Sequence, residues 1–198
     1  MRVVALVCSA RRGGNCEEIA TRILEILGER GIETEIMRLI DYEIQPCHRC
    51  SYECFEEEGA CPIQDDIPLI WERLMGADGF VIATPSYYGF IPAILKAVIE
   101  RGQGILRWVT AELRDLEGVW RGKPTLIIVV ADGGGERILE YMESLLKGAS
   151  IISKHLSYTR LGRPGYLGGL LQLPQVSSQV EEAAERLYER LMNRGETS

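Results

Sequence analysis

Unbroken apolar runs and helically spaced apolar positions alternate along this chain. Met1 to Cys8 is a continuous Val-rich run, the pattern of a strand buried on both faces of a parallel sheet. A loop follows, and Asn15 reads as a helix N-cap, with Glu18 completing a capping box. Ile19, Ile23, Leu24, Ile26 and Leu27 supply the apolar face of that helix, and Gly31 ends it. Ile32 to Leu39 alternates apolar and polar residues, as an outer strand does. Later come a helix over Pro68–Met75 stopped by Gly76, a buried strand over Gly79–Thr84, and a helix from about Pro92 to Arg101. Thr125 to Ala131 is a fourth strand, followed by a helix through Leu146 and a fifth strand over Ala149–Ser157. Val180, Ala183, Ala184, Leu187 and Leu191 mark a closing helix, capped by Ser178 with Glu181. Three stretches break the pattern: Asp41 to Asp66, Gly102 to Gly122 with a short helix expected around Val109–Leu116, and the Gly-rich Leu161 to Leu173. Strand and helix alternating in this way predict an α/β fold, a doubly wound five-stranded parallel sheet with helices on both faces.

Size and charge narrow the function classes. The chain has 198 residues and a mass of 22.2 kDa, the size of one domain, expected to span 1–198. With 29 acidic and 22 basic residues the net charge is −7, which argues against nucleic acid as a partner. No apolar stretch approaches the roughly 18 residues of a membrane helix. The first apolar run is short and is followed at once by Arg11 and Arg12, unlike a signal peptide, so a cytoplasmic protein is expected.

In a doubly wound sheet the ligand lies at the carboxyl ends of the strands. Three loops fall there. Ser9, Arg11, Gly13, Gly14, Asn15 and Cys16 bring a hydroxyl, a cation and small residues to a helix start, where backbone N–H groups and the helix dipole favour phosphate. The alternative is a plain strand–helix turn. Pro85, Ser86, Tyr87, Tyr88 and Gly89 place two aromatics beside exposed amides, suited to a flat heterocycle or to packing on neighbouring helices. Asp132, Gly133, Gly134 and Gly135 allow close approach to backbone, or form a flexible turn.

Together the loops resemble those of the NADPH-dependent FMN reductase family, which has the flavodoxin-like fold. Ser9, Arg11, Gly14, Asn15 and Cys16 match the family's phosphate loop, Ser-x-Arg-x-x-Gly-Asn-(Ser/Thr), with Cys16 in place of the hydroxyl residue. Thr84, Pro85, Tyr87 and Gly89 match its Ser/Thr-Pro-x-Tyr-x-Gly loop, and Gly134, Gly135 and Glu136 match a Gly-Gly loop before Glu. The resemblance implies sheet order 2-1-3-4-5, FMN as cofactor, NAD(P)H as a possible substrate, and a homodimer or homotetramer with FMN near the subunit interface. The flavin would carry the chemistry, and no catalytic side chain is singled out.

Cys47-x2-Cys50-x3-Cys54-x6-Cys61 places four of the six cysteines within 15 residues, in a loop at about 44–66. Such crowding points to metal or redox use. Four thiolates can hold an iron–sulfur cluster or tetrahedral zinc; a disulfide, or a cysteine segment holding nothing, are the other readings. The spacing resembles the iron–sulfur flavoprotein branch of the family, which carries a 4Fe–4S cluster, although that branch usually has two residues between its second and third cysteines. The resemblance implies an oxidoreductase passing electrons between a reduced donor, such as a ferredoxin-like protein, and an acceptor. The alternatives are a cluster-free NAD(P)H:FMN or quinone reductase and a zinc-stabilised binding module. His48, in the loop, is expected to face solvent, and His155 is expected to be structural.

Overall fold

The structure, a computed structural model, describes residues 1–48, 53–56, 61–109, 119–157 and 168–194. Its five strands are β1 (Arg2–Val7), β2 (Glu33–Arg38), β3 (Gly79–Pro85), β4 (Pro124–Ala131) and β5 (Ser150–Ser157). All neighbours pair in parallel, in the order β2-β1-β3-β4-β5. The helices are α1 (Asn15–Glu29), α2 (Glu53–Glu56), α3 (Ile67–Met75), α4 (Ala93–Val109), α5 (Gly135–Leu145) and α6 (Pro174–Arg194).

Successive strand side chains point to opposite faces, and both faces are covered. Val3, Ala5 and Val7 of β1 join Val81 and Ala83 of β3 in a core closed by Ile19, Ile23 and Leu27 of α1 and Val180, Ala184 and Leu187 of α6. The intervening residues Val4, Leu6, Phe80 and Ile82 enter a second core with Trp71 of α3, Val98 of α4 and Met142 of α5. Continuous apolar runs therefore mean burial on two sides. Trp71 donates its indole N–H to the Val98 carbonyl at 3.1 Å, tying α3 to α4. β2 is an edge strand bearing Glu33 and Glu35, charges that discourage further pairing.

Several local expectations are corrected. Gly14, not Asn15, is the N-cap of α1, and its side-chain-free cap leaves Asn15 inside the helix. The Asn15 carboxamide instead accepts the Leu170 N–H at 3.0 Å, so a distant segment claims it. Glu18 accepts the Gly169 N–H at 3.3 Å rather than closing a capping box. Ser178 lies within α6, which starts at Pro174 because Pro is well suited to a first turn. α4 continues past Arg101 to Val109, through Gly102 and Gly104. Glycine in a helix costs about 1 kcal/mol each, but Arg101 and Gly102 are buried, and packing overrides propensity. The rest of the helix expected around Val109–Leu116, with Cys50 and part of the Gly-rich stretch, lies outside the described residues. Among the described residues no helix is long and apolar enough to cross a membrane.

Candidate functional site

Parallel register puts the carboxyl ends of β1, β3 and β4 side by side, so the three loops of interest share one edge. At the first, the Ser9 hydroxyl accepts the Arg11 N–H at 3.1 Å, which turns the chain back toward α1. Ser9, Asn15 and Cys16 are buried against the helix start. Burial pushes the Cys16 thiol up to about 12, so it stays protonated, and a weak S–H stands where the family pattern has a hydroxyl.

Glu17 occupies one donor of this loop, accepting the Gly13 N–H at 2.7 Å while pairing with Arg38 at 2.5 Å. Burial pushes its pKa up, but the Gly13 N–H, Arg38 and the charge of Arg12 outweigh that, and the carboxyl lies below its ordinary range. A depressed folded-state value gives stability that is present above the unfolded-state value and lost as pH falls through the folded one. Glu17→Gln is therefore expected to lower stability at neutral pH and to converge on wild type at acid pH. Urea midpoints at about pH 7 and about pH 3 check this; parallel losses in both proteins would contradict it.

The second loop is a tight turn. Tyr87 and Phe90 exchange backbone hydrogen bonds of 2.9 and 3.1 Å around Tyr88 (φ 54°) and Gly89 (φ 81°). Left-handed backbone at both central positions favours Asn-Gly. Tyr88 holds that conformation with its ring fully in solvent, and such strain persists where structure or ligand demands it.

The third loop touches the second. The Ser86 hydroxyl donates to the Gly133 carbonyl at 3.3 Å. Gly134 has φ 75°, and a Cβ there would lie 3.1 Å from the Gly89 Cα. A Cβ at Gly135 would fall 2.2 Å from the His155 imidazole, whose Nδ1 lies 2.9 Å from a Glu136 carboxylate oxygen. The chain itself thus requires glycine at 134 and 135. Gly133 differs: its φ is outside the left-handed region, and a Cβ there meets no described atom within 4 Å. Its missing side chain leaves room above the sheet edge.

The cysteine loop leaves the carboxyl end of β2. Its neck is closed by backbone and carboxylate bonds: Asp66 N–H to the Glu43 carbonyl at 2.9 Å, Glu43 N–H to Asp66 at 2.8 Å, and Gln45 N–H to Asp65 at 2.9 Å. Arg101 of α4 pairs with Asp65, and both side chains are almost wholly buried. The guanidinium also donates to the Gln45 carbonyl (3.3 Å), the Ile63 carbonyl (3.3 Å) and the Cys61 Sγ (3.5 Å). Cys47 is exposed, and Cys54 and Cys61 are half-buried. Among the described residues no three acidic, His or Cys side chains are gathered as for a metal ion, and Cys50 is not among them. His48 is exposed and its Nδ1 donates to the Pro46 carbonyl at 2.8 Å. A solvent-exposed cleft of about 380 Å³ between Gln45, His48, Pro62, Ile63 and Gln64 lies beside the neck.

Arg101 was not legible as a site residue: it lies 36 positions from Asp65 and at the end of an ordinary amphipathic pattern. Asp65 and Asp66 carry the only local signal, an acidic pair just after the last cysteine of the loop.

The family model for NADPH-dependent FMN reductases matches residues 1–157. The chain is 38% identical over 101 residues to an iron–sulfur flavoprotein of Methanosarcina thermophila, covering 51% of this chain and 52% of that one. It is also 38% identical over 103 residues to an iron–sulfur flavoprotein of Methanocaldococcus jannaschii, covering 52% of each. The chain spans about half the length of these curated relatives. Among solved structures, RosB with its bound intermediate 8-demethyl-8-formylriboflavin-5′-phosphate aligns with a TM-score of 0.72 at 16% identity, over 100% of this chain and 81% of that one. At that identity the likeness speaks for the fold.

Proposed function

The chain belongs to the NADPH-dependent FMN reductase family, and from that premise we propose that it is an FMN-dependent oxidoreductase whose cysteine loop carries a 4Fe–4S cluster. The observation that supports flavin most is Gly133, a glycine that no described residue's packing requires, at an edge shared with a helix start and an exposed aromatic turn. The likeness to iron–sulfur flavoproteins and the four-thiol donor set support the cluster.

Ser9, Arg11, Gly13, Gly14, Asn15 and Cys16 would hold the FMN phosphate, with α1 adding the favourable end of its dipole. Pro85, Ser86, Tyr87, Tyr88 and Gly89 would border the ring system on one side, and Asp132, Gly133, Gly134 and Gly135 on the other. Cys47, Cys50, Cys54 and Cys61 would ligate the cluster as thiolates. Bound flavin supplies two-electron chemistry that can be divided into single electrons, which is the form a cluster accepts. The chain's own contribution is to bind, orient and shield that group. NAD(P)H or a ferredoxin-like protein is the proposed donor, and a homodimer or homotetramer the proposed assembly.

The test is a visible spectrum with iron, zinc and acid-labile sulfide assays on anaerobically purified protein. Flavin bands with about four iron per chain are expected. Flavin without iron would replace this reading with a cluster-free NAD(P)H:FMN or quinone reductase, and zinc without flavin would replace it with a binding module.

A further inference from the structure

Arg101 presents an unusual accounting. It is 4% exposed, on α4, and reads both sides of the cysteine loop at once: Gln45 before the first cysteine, and Cys61, Ile63 and Asp65 from the last cysteine onward. A guanidinium carries five N–H donors in a fixed fork. Four of the contacts are made by its two terminal nitrogens, and Nε is buried with no partner. Among the described residues only three buried side-chain polar atoms are left in this state, and two of them, Arg101 Nε and Glu53 Oε2, belong to this loop and its root. A dry donor without an acceptor is costly. Among the described residues, whose other buried side-chain polar atoms save Glu53 Oε2 and His155 Nε2 find partners, it marks a place where a further acceptor fits.

We propose that Arg101 is the positioning residue for the metal group of the cysteine loop. It fixes Cys61 at the pinned neck and donates an N–H bond to its sulfur. The proposal rests on the cluster reading above. Two consequences follow from its chemistry. Pinning residues 45 and 61–65 to α4 reduces the ordering that four loop thiolates must undergo to converge on one group. An N–H bond donated to a ligand sulfur stabilises the more negative, reduced cluster and so raises its reduction potential. Asp65 orients the fork and balances its charge, so the effect at sulfur is that of a directed N–H bond rather than of a net charge.

Two variants test this. Arg101→Met combined with Asp65→Asn removes the fork without leaving an unpaired buried ion. Arg101→Lys keeps the charge and the stem but loses the fork. Each is purified anaerobically beside wild type, checked for flavin content, assayed for iron and sulfide, and titrated by EPR-monitored redox potentiometry. The double variant is expected to bind the cluster about 10- to 100-fold more weakly, the effect of losing a partner to a metal ligand. Any cluster it retains is expected at a lower midpoint potential, with the Lys variant between it and wild type. A flavin-loaded double variant with wild-type iron and wild-type potential would overturn the role of Arg101 while leaving the cluster reading intact. Wild-type protein holding flavin but no iron would overturn the cluster reading and this proposal with it. If the double variant does not fold, Arg101→Lys decides: unchanged iron and potential would refute the proposal.

Discussion

Asp65→Ala is expected to destabilise the fold by about 3–5 kcal/mol, the cost of leaving one member of a buried ion pair unpaired. Arg101 and Asp65 side chains are 2% and 0% exposed, so water does not solvate the guanidinium that remains. The loss extends beyond the pair. Asp65 also accepts the Gln45 N–H at 2.9 Å and the Ile67 N–H at 3.2 Å, so one carboxylate closes the loop's neck and stabilises the start of α3. Truncation would release three partners together. Urea unfolding at neutral pH is the measurement. With a denaturant slope of about 2–3 kcal/mol/M, the midpoint should fall by about 1 M or more. A shift within about 0.5 kcal/mol, as at an ordinary surface site, would mean that water or another acceptor reaches Arg101 and that the pair does not anchor the loop.

Asp65→Asn provides the graded comparison. The amide keeps an oxygen for one backbone N–H but carries no charge for Arg101. Its loss should be smaller than that of Asp65→Ala if hydrogen bonding to the neck matters as well as charge.

This buried pair also shows where the sequence stops being informative. The sheet was legible because burial on both faces writes itself as continuous apolar runs, such as Val3 to Val7 and Leu126 to Ala131, whose alternate residues enter separate cores. Strand order followed from the family resemblance, not from periodicity, and the structure shows it. Helix ends were less legible. Asn15 has the residue type of a cap, but its carboxamide is taken by Leu170, 155 positions away. The length of α4 was misread because Gly102 and Gly104 look like a stop, while the burial of Gly102 depends on neighbours that no local window contains. Arg101 and Asp65 are of the same kind: neither is marked out by its local pattern, and only the packing of α4 against the loop's neck brings them together. Local chemistry is visible in sequence; pairing across 36 or 155 positions is not.

The three consecutive glycines make the same point and give the second large prediction. In sequence Gly133, Gly134 and Gly135 are equivalent. In the structure, Gly134 is fixed by its left-handed backbone and the nearby Gly89, and Gly135 by the His155 ring, whereas Gly133 is required by nothing among the described residues. If the space over Gly133 is where the flavin ring system lies, Gly133→Leu should fold normally and bind FMN poorly. Inserting a bulky side chain into a packed interface costs about 1–3 kcal/mol, which corresponds to about 5- to 150-fold in affinity. Gly133→Ala separates the two effects. It should raise unfolding stability by about 0.4–1 kcal/mol through the unfolded chain, with a smaller loss of FMN affinity. Quenching of FMN fluorescence on titration with apoprotein measures binding, and urea unfolding of the same apoprotein measures the fold. Unchanged FMN affinity in a folded Gly133→Leu protein would remove the flavin from this part of the edge. Lost stability in apo Gly133→Leu would show instead that the chain itself fills the space, and the third loop would then be a turn and not a binding surface.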